Sequence, residues 1–232
     1  MPFVALRTLA PVLVSAALLL AGSCAAAGET SAAIPAPRVD NPRAAGRMQT
    51  AVLAGGCFWG MQGVFEHVRG VREVLAGYSG GSRLTAQYQD VETGHTGHAE
   101  SVQIVFDPAE LSYGELLQIY FSVAHDPTEL DRQGPDRGNQ YRSAIFYADD
   151  NQRHIAESYI AQLAGDKAFT QPIVTQVAAL RGFYRAEDYH QDFYLKNPGY
   201  PYIVINDLPK IRELKALYPG YYRDAPVTVG AR

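Results

Sequence analysis

Polar and apolar positions alternate over residues 101–106, where Val102, Ile104 and Phe106 share one face and Asp107-Pro108 follows. A period of two predicts a β-strand. Residues 50–54 form a short apolar run closed by Gly55-Gly56, which reads as an earlier strand. Between the two runs the period changes. Phe58, Met61, Phe65 and Val68 recur at helical spacing, with Val64 filling the same face. They predict a helix over 58–69 that Gly70 stops, followed by a strand over 71–78. Ser112-Tyr113-Gly114-Glu115 has capping-box spacing ahead of Leu116, Leu117, Tyr120, Phe121 and Ala124, a second helix with Pro127 just beyond it. A strand over 143–147, a helix over 149–163 capped by Gly165 and a strand over 173–180 come next. Ile211, Leu214 and Leu217 behind Pro209 predict a last helix that Pro219-Gly220 ends. Residues 79–98 and 128–140 are polar, carry glycines and show no helical period, so they read as long loops.

The order is β-α-β-β-α-β with an additional αβ unit. Two strands in direct succession favour an antiparallel pair, and each strand–helix–strand step is a crossover. The expected class is α+β, a ferredoxin-like split β-α-β sandwich in one domain, with the long loops available for a site. No internal repeat is visible.

Composition narrows the function without naming it. The 232 residues are 47% apolar and 19% charged, which excludes wholesale disorder. A net charge of −4 gives no electrostatic reason to bind nucleic acid or an anionic membrane surface. The two cysteines, Cys24 and Cys57, exclude a disulfide framework and any multi-cysteine zinc site. Cys24 reads as part of an export leader. Arg7 precedes an apolar stretch from Leu9 to Leu20, too short for a convincing membrane span. Ala21-Gly22-Ser23-Cys24 then resembles a lipoprotein cleavage site, with Ala25-Ala26-Ala27 as a competing site that would discard Cys24. Residues 1–24 are therefore expected to be a signal peptide and 25–48, rich in Ala and Pro, a flexible linker. Residues 49–222 are the expected catalytic domain and 223–232 a frayed tail. The expected location is outside the cytoplasm, in the periplasm or lipid-anchored to a bacterial envelope.

The chemistry centres on Gly55-Gly56-Cys57-Phe58-Trp59-Gly60. A cysteine at a strand end and helix start faces unpaired N–H groups and the positive end of the helix, which favour thiolate over thiol. The alternative is a small buried core residue. Trp59 is the only tryptophan, either the wall of an apolar pocket or core. Glu100 stands at the edge of the third strand, either solvated or an acid whose pKa desolvation raises. His95 and His98 match no metal-ligand spacing. Asp136 and Tyr141 lie in the second polar loop, where each alone reads as a turn Asp and a packed Tyr.

Six ordered segments change that balance. They are Gly56 to Gly60; Gly77-Tyr78-Ser79-Gly80-Gly81; Tyr88 with Gly94-His95-Thr96-Gly97-His98-Ala99-Glu100; His125-Asp126-Pro127; Gly138-Asn139-Gln140-Tyr141-Arg142-Ser143; and Ala186-Glu187-Asp188-Tyr189-His190-Gln191. Over roughly residues 49 to 222 the chain strongly resembles the A-type peptide methionine sulfoxide reductases. The resemblance implies Cys57 as nucleophile, Glu100 as general acid, and Tyr88 and Tyr141 as phenols bonded to the sulfoxide oxygen. It implies Asp136 as a further polar group, and Phe58 and Trp59 as the apolar pocket for the S-methyl group. The implied reaction reduces the S epimer of methionine sulfoxide, free or in oxidised proteins and peptides, and leaves Cys57 as a sulfenic acid. No bound cofactor or metal is implied, only an external thiol reductant of thioredoxin, glutaredoxin or glutathione type. Many relatives carry further cysteines near the C-terminus, and this chain has none after Cys57. A one-cysteine cycle is therefore expected. Nothing suggests an obligate dimer, so a monomer is expected. Two rival readings remain, a one-cysteine thiol peroxidase and a non-catalytic lipoprotein that binds methionine-rich segments. No arginine stands beside Cys57 for the first, Arg69 lying a helix length away.

Overall fold

The computed structural model describes Met1 and residues 33–230. The expected leader, Met1 aside, and Cys24 lie outside the described residues. The described chain runs β1 (Gln49–Ala54), α1 (Phe58–Glu66), β2 (Val71–Ser79), α2 (Tyr88–Val91), β3 (Ala99–Phe106), α3 (Tyr113–Ile119), β4 (Arg132–Gln133), β5 (Asp136–Arg137), β6 (Ala144–Tyr147), α4 (Asp150–Gly165), β7 (Gln176–Ala179), β8 (Phe183–Arg185), α5 (Phe193–Lys196) and α6 (Leu208–Leu217). Among the described residues six strands form one sheet in the order β7-β6-β1-β3-β2-β8. The inner four, β6-β1-β3-β2, are antiparallel throughout, which is the split β-α-β arrangement. β7 joins β6 in parallel through α4, the additional αβ unit, and β8 pairs antiparallel with β2.

The inward face of the sheet carries Ala51 and Leu53 of β1, Val74, Ala76 and Tyr78 of β2, and Val102, Ile104 and Phe106 of β3. It packs on Met61, Val64 and Phe65 of α1, Leu116 and Leu117 of α3, Ile155, Tyr159 and Leu163 of α4, and Ile211 and Leu214 of α6. Each of these side chains repeats at its element's own period, so burial fixes the register. β3 begins at Ala99, two residues earlier than the alternation suggests. The same period that buries Val102 then turns Glu100 inward.

Several expected loops are ordered. Residues 79–98 contain a 3₁₀ turn, Arg83–Thr85, and the short helix α2. His98 pins this stretch: its Nδ1 accepts from Gly81 N–H at 3.2 Å and its Nε2 donates to the Ser82 carbonyl at 2.9 Å. Residues 128–140 hold the β4–β5 ribbon and most of a 3₁₀ turn, Asn139–Tyr141. The second helix leaves α geometry at Tyr120 and runs to Ala124 as a π turn. Gly165 is the last helical residue of α4, and Asp166 caps it.

The expected linker is docked where it is described. Gln118 and Gln162 donate to the carbonyls of Ile34 and Ala36, Tyr159 donates to Pro35, and Arg38 pairs with Asp166 at 2.9 Å. Asp40 takes the Ser112 hydroxyl and the Gly114 N–H at the start of α3. The composition is that of a tether, but side chains of α3 and α4 take its backbone groups. The tail is held too. Arg223 N–H and Val227 N–H donate to the carbonyls of His67 and Glu66, which the end of α1 leaves unpaired.

Glu66 itself is fully buried. Burial, then the neighbouring Asp192, pushes its carboxyl up to about 10. The folded state therefore keeps a proton that the unfolded chain releases near its ordinary value of 4.5. Stability is whole below that value and falls as pH rises toward about 10. Glu66→Gln removes the penalty. Its melting temperature is expected to exceed that of the wild type at pH 8, with a gap that widens from about pH 6 to about pH 9 in thermal melts.

Candidate active site

β1 ends at Ala54, and Gly55-Gly56 turn the chain into α1 with Cys57 at the N-cap. The turn is tight enough to require glycine. Gly56 has φ +88°, and a Cβ there would lie 2.5 Å from Gln133 Cγ. Gln133 in turn holds the Asp126 backbone through N–H and C=O at 3.0 Å each. Cys57 is 8% exposed, so its thiol is almost wholly shielded from solvent.

The inward turn of β3 brings Glu100 to this point. Its Oε2 accepts the Phe58 N–H at 2.9 Å, one residue beyond Cys57. Glu100 is 4% exposed, and burial pushes its carboxyl up to about 8 against the pull of that N–H. It is an acid that keeps its proton at neutral pH. Of the two readings open in the sequence, the solvated Glu is corrected: the earlier strand start buries it.

The thiol differs from expectation. Burial raises the Cys57 pKa well above its ordinary value, and Glu100, Asp207 and Asp136 add to the rise. The Trp59 N–H of the helix start opposes them and loses. A helix N-terminus contributes a partial charge, whereas the site buries several carboxyl groups around one sulfur. The resting group is a thiol.

Tyr88 opens α2, and its N–H donates to Glu187 Oε1 at 2.9 Å. Glu187 Oε2 accepts the Tyr78 hydroxyl at 2.8 Å, so this carboxylate ties α2 to β2. Burial, then Glu92, Glu100 and Cys57, pushes the Tyr88 hydroxyl up to about 12. The Tyr141 hydroxyl rises by burial and then by Glu100, Asp136, Cys57 and Tyr88. Both phenols hold their protons and are donors. Asp136, on β5, accepts the Tyr202 hydroxyl, and burial raises its carboxyl.

Phe58 is buried with its ring 4.9 Å from His190 and 5.8 Å from Tyr78. Trp59 stacks on Phe193 at 3.8 Å and meets Tyr200 and Tyr202 edge-on, while its Nε1 donates to His190 Nδ1 at 3.1 Å. The structure thus gathers Cys57, Phe58, Trp59, Tyr88, Glu100, Asp136 and Tyr141 around the first turn of α1. It adds His190, Phe193, Tyr202 and Asp207, none of which the sequence patterns single out. His190 lies in one of the six segments, but Tyr202 precedes and Asp207 ends a π turn, Ile203–Asp207, that no apolar period announces. His98 is committed to its loop. Among the described residues no three His, Cys, Asp or Glu side chains converge as a metal site. A buried thiol, a protonated carboxyl, two phenol donors and an aromatic wall suit attack on an electrophilic atom whose oxygen must be protonated.

The family model for peptide methionine sulfoxide reductase matches residues 49–219. The chain belongs to the peptide methionine sulfoxide reductase family. It is an enzyme that reduces methionine sulfoxide, and neither the peroxidase nor the non-catalytic binder is favoured. A relative from Mesorhizobium japonicum, peptide methionine sulfoxide reductase MsrA 2, is 57% identical over 187 residues, 81% of this chain and 96% of that protein. A protein of the same name from a Synechocystis species is 54% identical over 191 residues, 81% of this chain and 89% of its own. Among solved structures, methionine sulfoxide reductase A of Corynebacterium diphtheriae superposes with TM-score 0.56 at 34% identity, covering 74% of this chain and 91% of that one. Reduced Mxr1 from Saccharomyces cerevisiae gives TM-score 0.59 at 30% identity, covering 66% and 88%.

The turn before the reductase helix supplies a test. Gly56→Ala is strained by φ +88° and by the Gln133 side chain. It is expected to cost about 1–3 kcal/mol in a denaturant titration and to lower kcat/KM as the Cys57 turn shifts.

Proposed function

We propose that the chain reduces the S epimer of methionine sulfoxide, free or in proteins, through Cys57, with an external thiol closing the cycle. The observation that carries this reading is the Phe58 N–H to Glu100 bond of 2.9 Å, which holds a protonated carboxyl beside the thiol. Cys57 gives up its S–H proton and its sulfur bonds to the sulfoxide sulfur, while Glu100 protonates the oxygen. The S–S bond of this adduct breaks with its electron pair to the methionine sulfur as the hydroxyl passes to Cys57. Methionine leaves and Cys57 is a sulfenic acid: the cysteine sulfur is oxidised and the sulfoxide sulfur reduced. Tyr88 and Tyr141 donate to the oxygen, and Asp136 orients that region through Tyr202. Phe58 and Trp59 form the apolar wall against the S-methyl group. A wall for the methyl opposite donors for the oxygen accepts one epimer.

Cys57 is the free cysteine among the described residues, and no cysteine follows it in the sequence. An external thiolate, of thioredoxin, glutaredoxin or glutathione type, attacks the sulfenic sulfur. Hydroxide leaves as water, and a second thiol frees Cys57 from the mixed disulfide. The leader-like residues 1–24 support export to the periplasm or to a lipid anchor at Cys24. N-terminal sequencing of the mature protein tests that address.

Glu100 acts while protonated, so kcat/KM is expected to fall as pH rises through about 8. Glu100→Gln is expected to lose that limb and about 10²–10⁴-fold in rate. Cys57→Ser should abolish turnover of a methionine sulfoxide peptide, and residual turnover would refute the reading. Mass analysis after one turnover with glutathione should find the tripeptide on Cys57; an intramolecular disulfide would sink the one-cysteine cycle.

A further inference from the structure

Gly60 lies on the first turn of α1, three residues after Cys57. A side chain has no room there: a Cβ at Gly60 would overlap Asp207 Oδ1 and lie 2.8 Å from its Cγ. The Asp207 carboxyl fills the space of the missing side chain. Cys57 is the N-cap of that turn, and Asp207 is among the charged groups close enough to act on its thiol. Positions three apart on a helix stand about 5–6 Å from one another. Asp207, packed against that turn from the π turn Ile203–Asp207, is therefore a near neighbour of the thiol.

Asp207 is 0% exposed, and neither of its carboxyl oxygens has a hydrogen-bond partner. The other acids of the site are engaged, Glu100 with the Phe58 N–H and Asp136 with the Tyr202 hydroxyl. A buried carboxyl with no donor is costly to keep charged, and with both oxygens unengaged Asp207 is open to a proton. Cys57, being a thiol at rest, must lose one before its sulfur can attack.

We propose that Asp207 receives the proton of the Cys57 thiol as the sulfur attacks the sulfoxide. The inference rests on the reading of Cys57 as nucleophile. The S–H bond breaks, an O–H bond forms on Asp207, and the electron pair stays on sulfur to make the bond to the substrate. Glu100 gives its own proton to the oxygen, and solvent returns the proton from Asp207 to Glu100 after methionine leaves. The net reaction is unchanged.

The charged and titratable groups around Asp207 are Cys57 at the head of α1, Glu100 of β3, Asp136 of β5, Tyr202 of its own turn and Lys210 of α6. Burial raises the Asp207 carboxyl, Lys210 lowers it and Asp136 raises it, leaving it at about 7, where it both takes and releases a proton.

The test is single-turnover methionine release by the full chain, without reductant, from a peptide carrying methionine S-sulfoxide. The wild-type rate should rise with pH through about 7 as Asp207 ionises. Asp207→Asn should lose that acid limb and about 10²–10⁴-fold in rate while keeping the alkaline limb of Glu100. Gly60→Ala retains the carboxyl but displaces it, and should reproduce the loss. A wild-type rate and profile in Asp207→Asn overturns the proposal, and so does a lower rate whose pH profile keeps its shape. Should Asp207→Asn not fold, a wild-type profile with no acid limb near 7 overturns it equally. None of these outcomes touches the role of Cys57, which falls only if Cys57→Ser retains turnover.

Discussion

The site depends on one hydrogen bond between the sheet and the first helix, Phe58 N–H to Glu100. A helix start leaves N–H groups without partners, and a carboxyl on the inward face of a strand lacks donors. Each defect is the other's remedy. The bond fixes how far α1 slides along β3, and so where Cys57 sits relative to every group that follows. Tyr78 stands directly across the ladder from Glu100, and its hydroxyl reaches Glu187, which holds the N-terminus of α2 and with it Tyr88. Placing one carboxyl thus places one of the two phenols as well.

Much of this frame is written in short-range patterns. The alternation ending at Phe106, the helical spacing from Phe58 to Val68 and the Ser112 capping box each correspond to a formed element. Burial and capping are local causes with local signals. The position of Glu100 is nearly legible, since extending the alternation of Val102 back by one period turns it inward. What the pattern does not carry is where β3 begins, because Ala99 is too small to mark a face. α2 and α5, with four residues each, are shorter than a helical period can reveal.

The docked segment from Ile34 to Arg43 shows a different limit. Ala and Pro give it no periodicity, and it forms no strand or helix of its own. Its order comes from Gln118, Tyr159 and Gln162, side chains far along the chain that supply its backbone with partners. Asp207 is hidden for a similar reason. Its meaning lies in Gly60, and a glycine in a helix reads as a weak residue until the atom filling its place is known.

The raised thiol pKa separates this site from that of a peroxidase. A hydroperoxide is met by a thiolate prepared in advance by a nearby cation, whereas the largest influences on Cys57 are burial and the acids Glu100, Asp207 and Asp136. Here burial, reinforced by the surrounding acids, holds the sulfur protonated. Such a nucleophile is quiet toward general oxidants, because the thiolate is the reactive form. In the reaction proposed for this site, a sulfoxide changes the balance by bringing its own basic oxygen beside Glu100 and the two phenols. Protonating that oxygen makes the sulfur electrophilic at the moment the thiol is asked to ionise. Attack then requires a substrate that accepts a proton at one end and a sulfur at the other, and the same burial that suppresses the thiol at rest makes it selective for that chemistry.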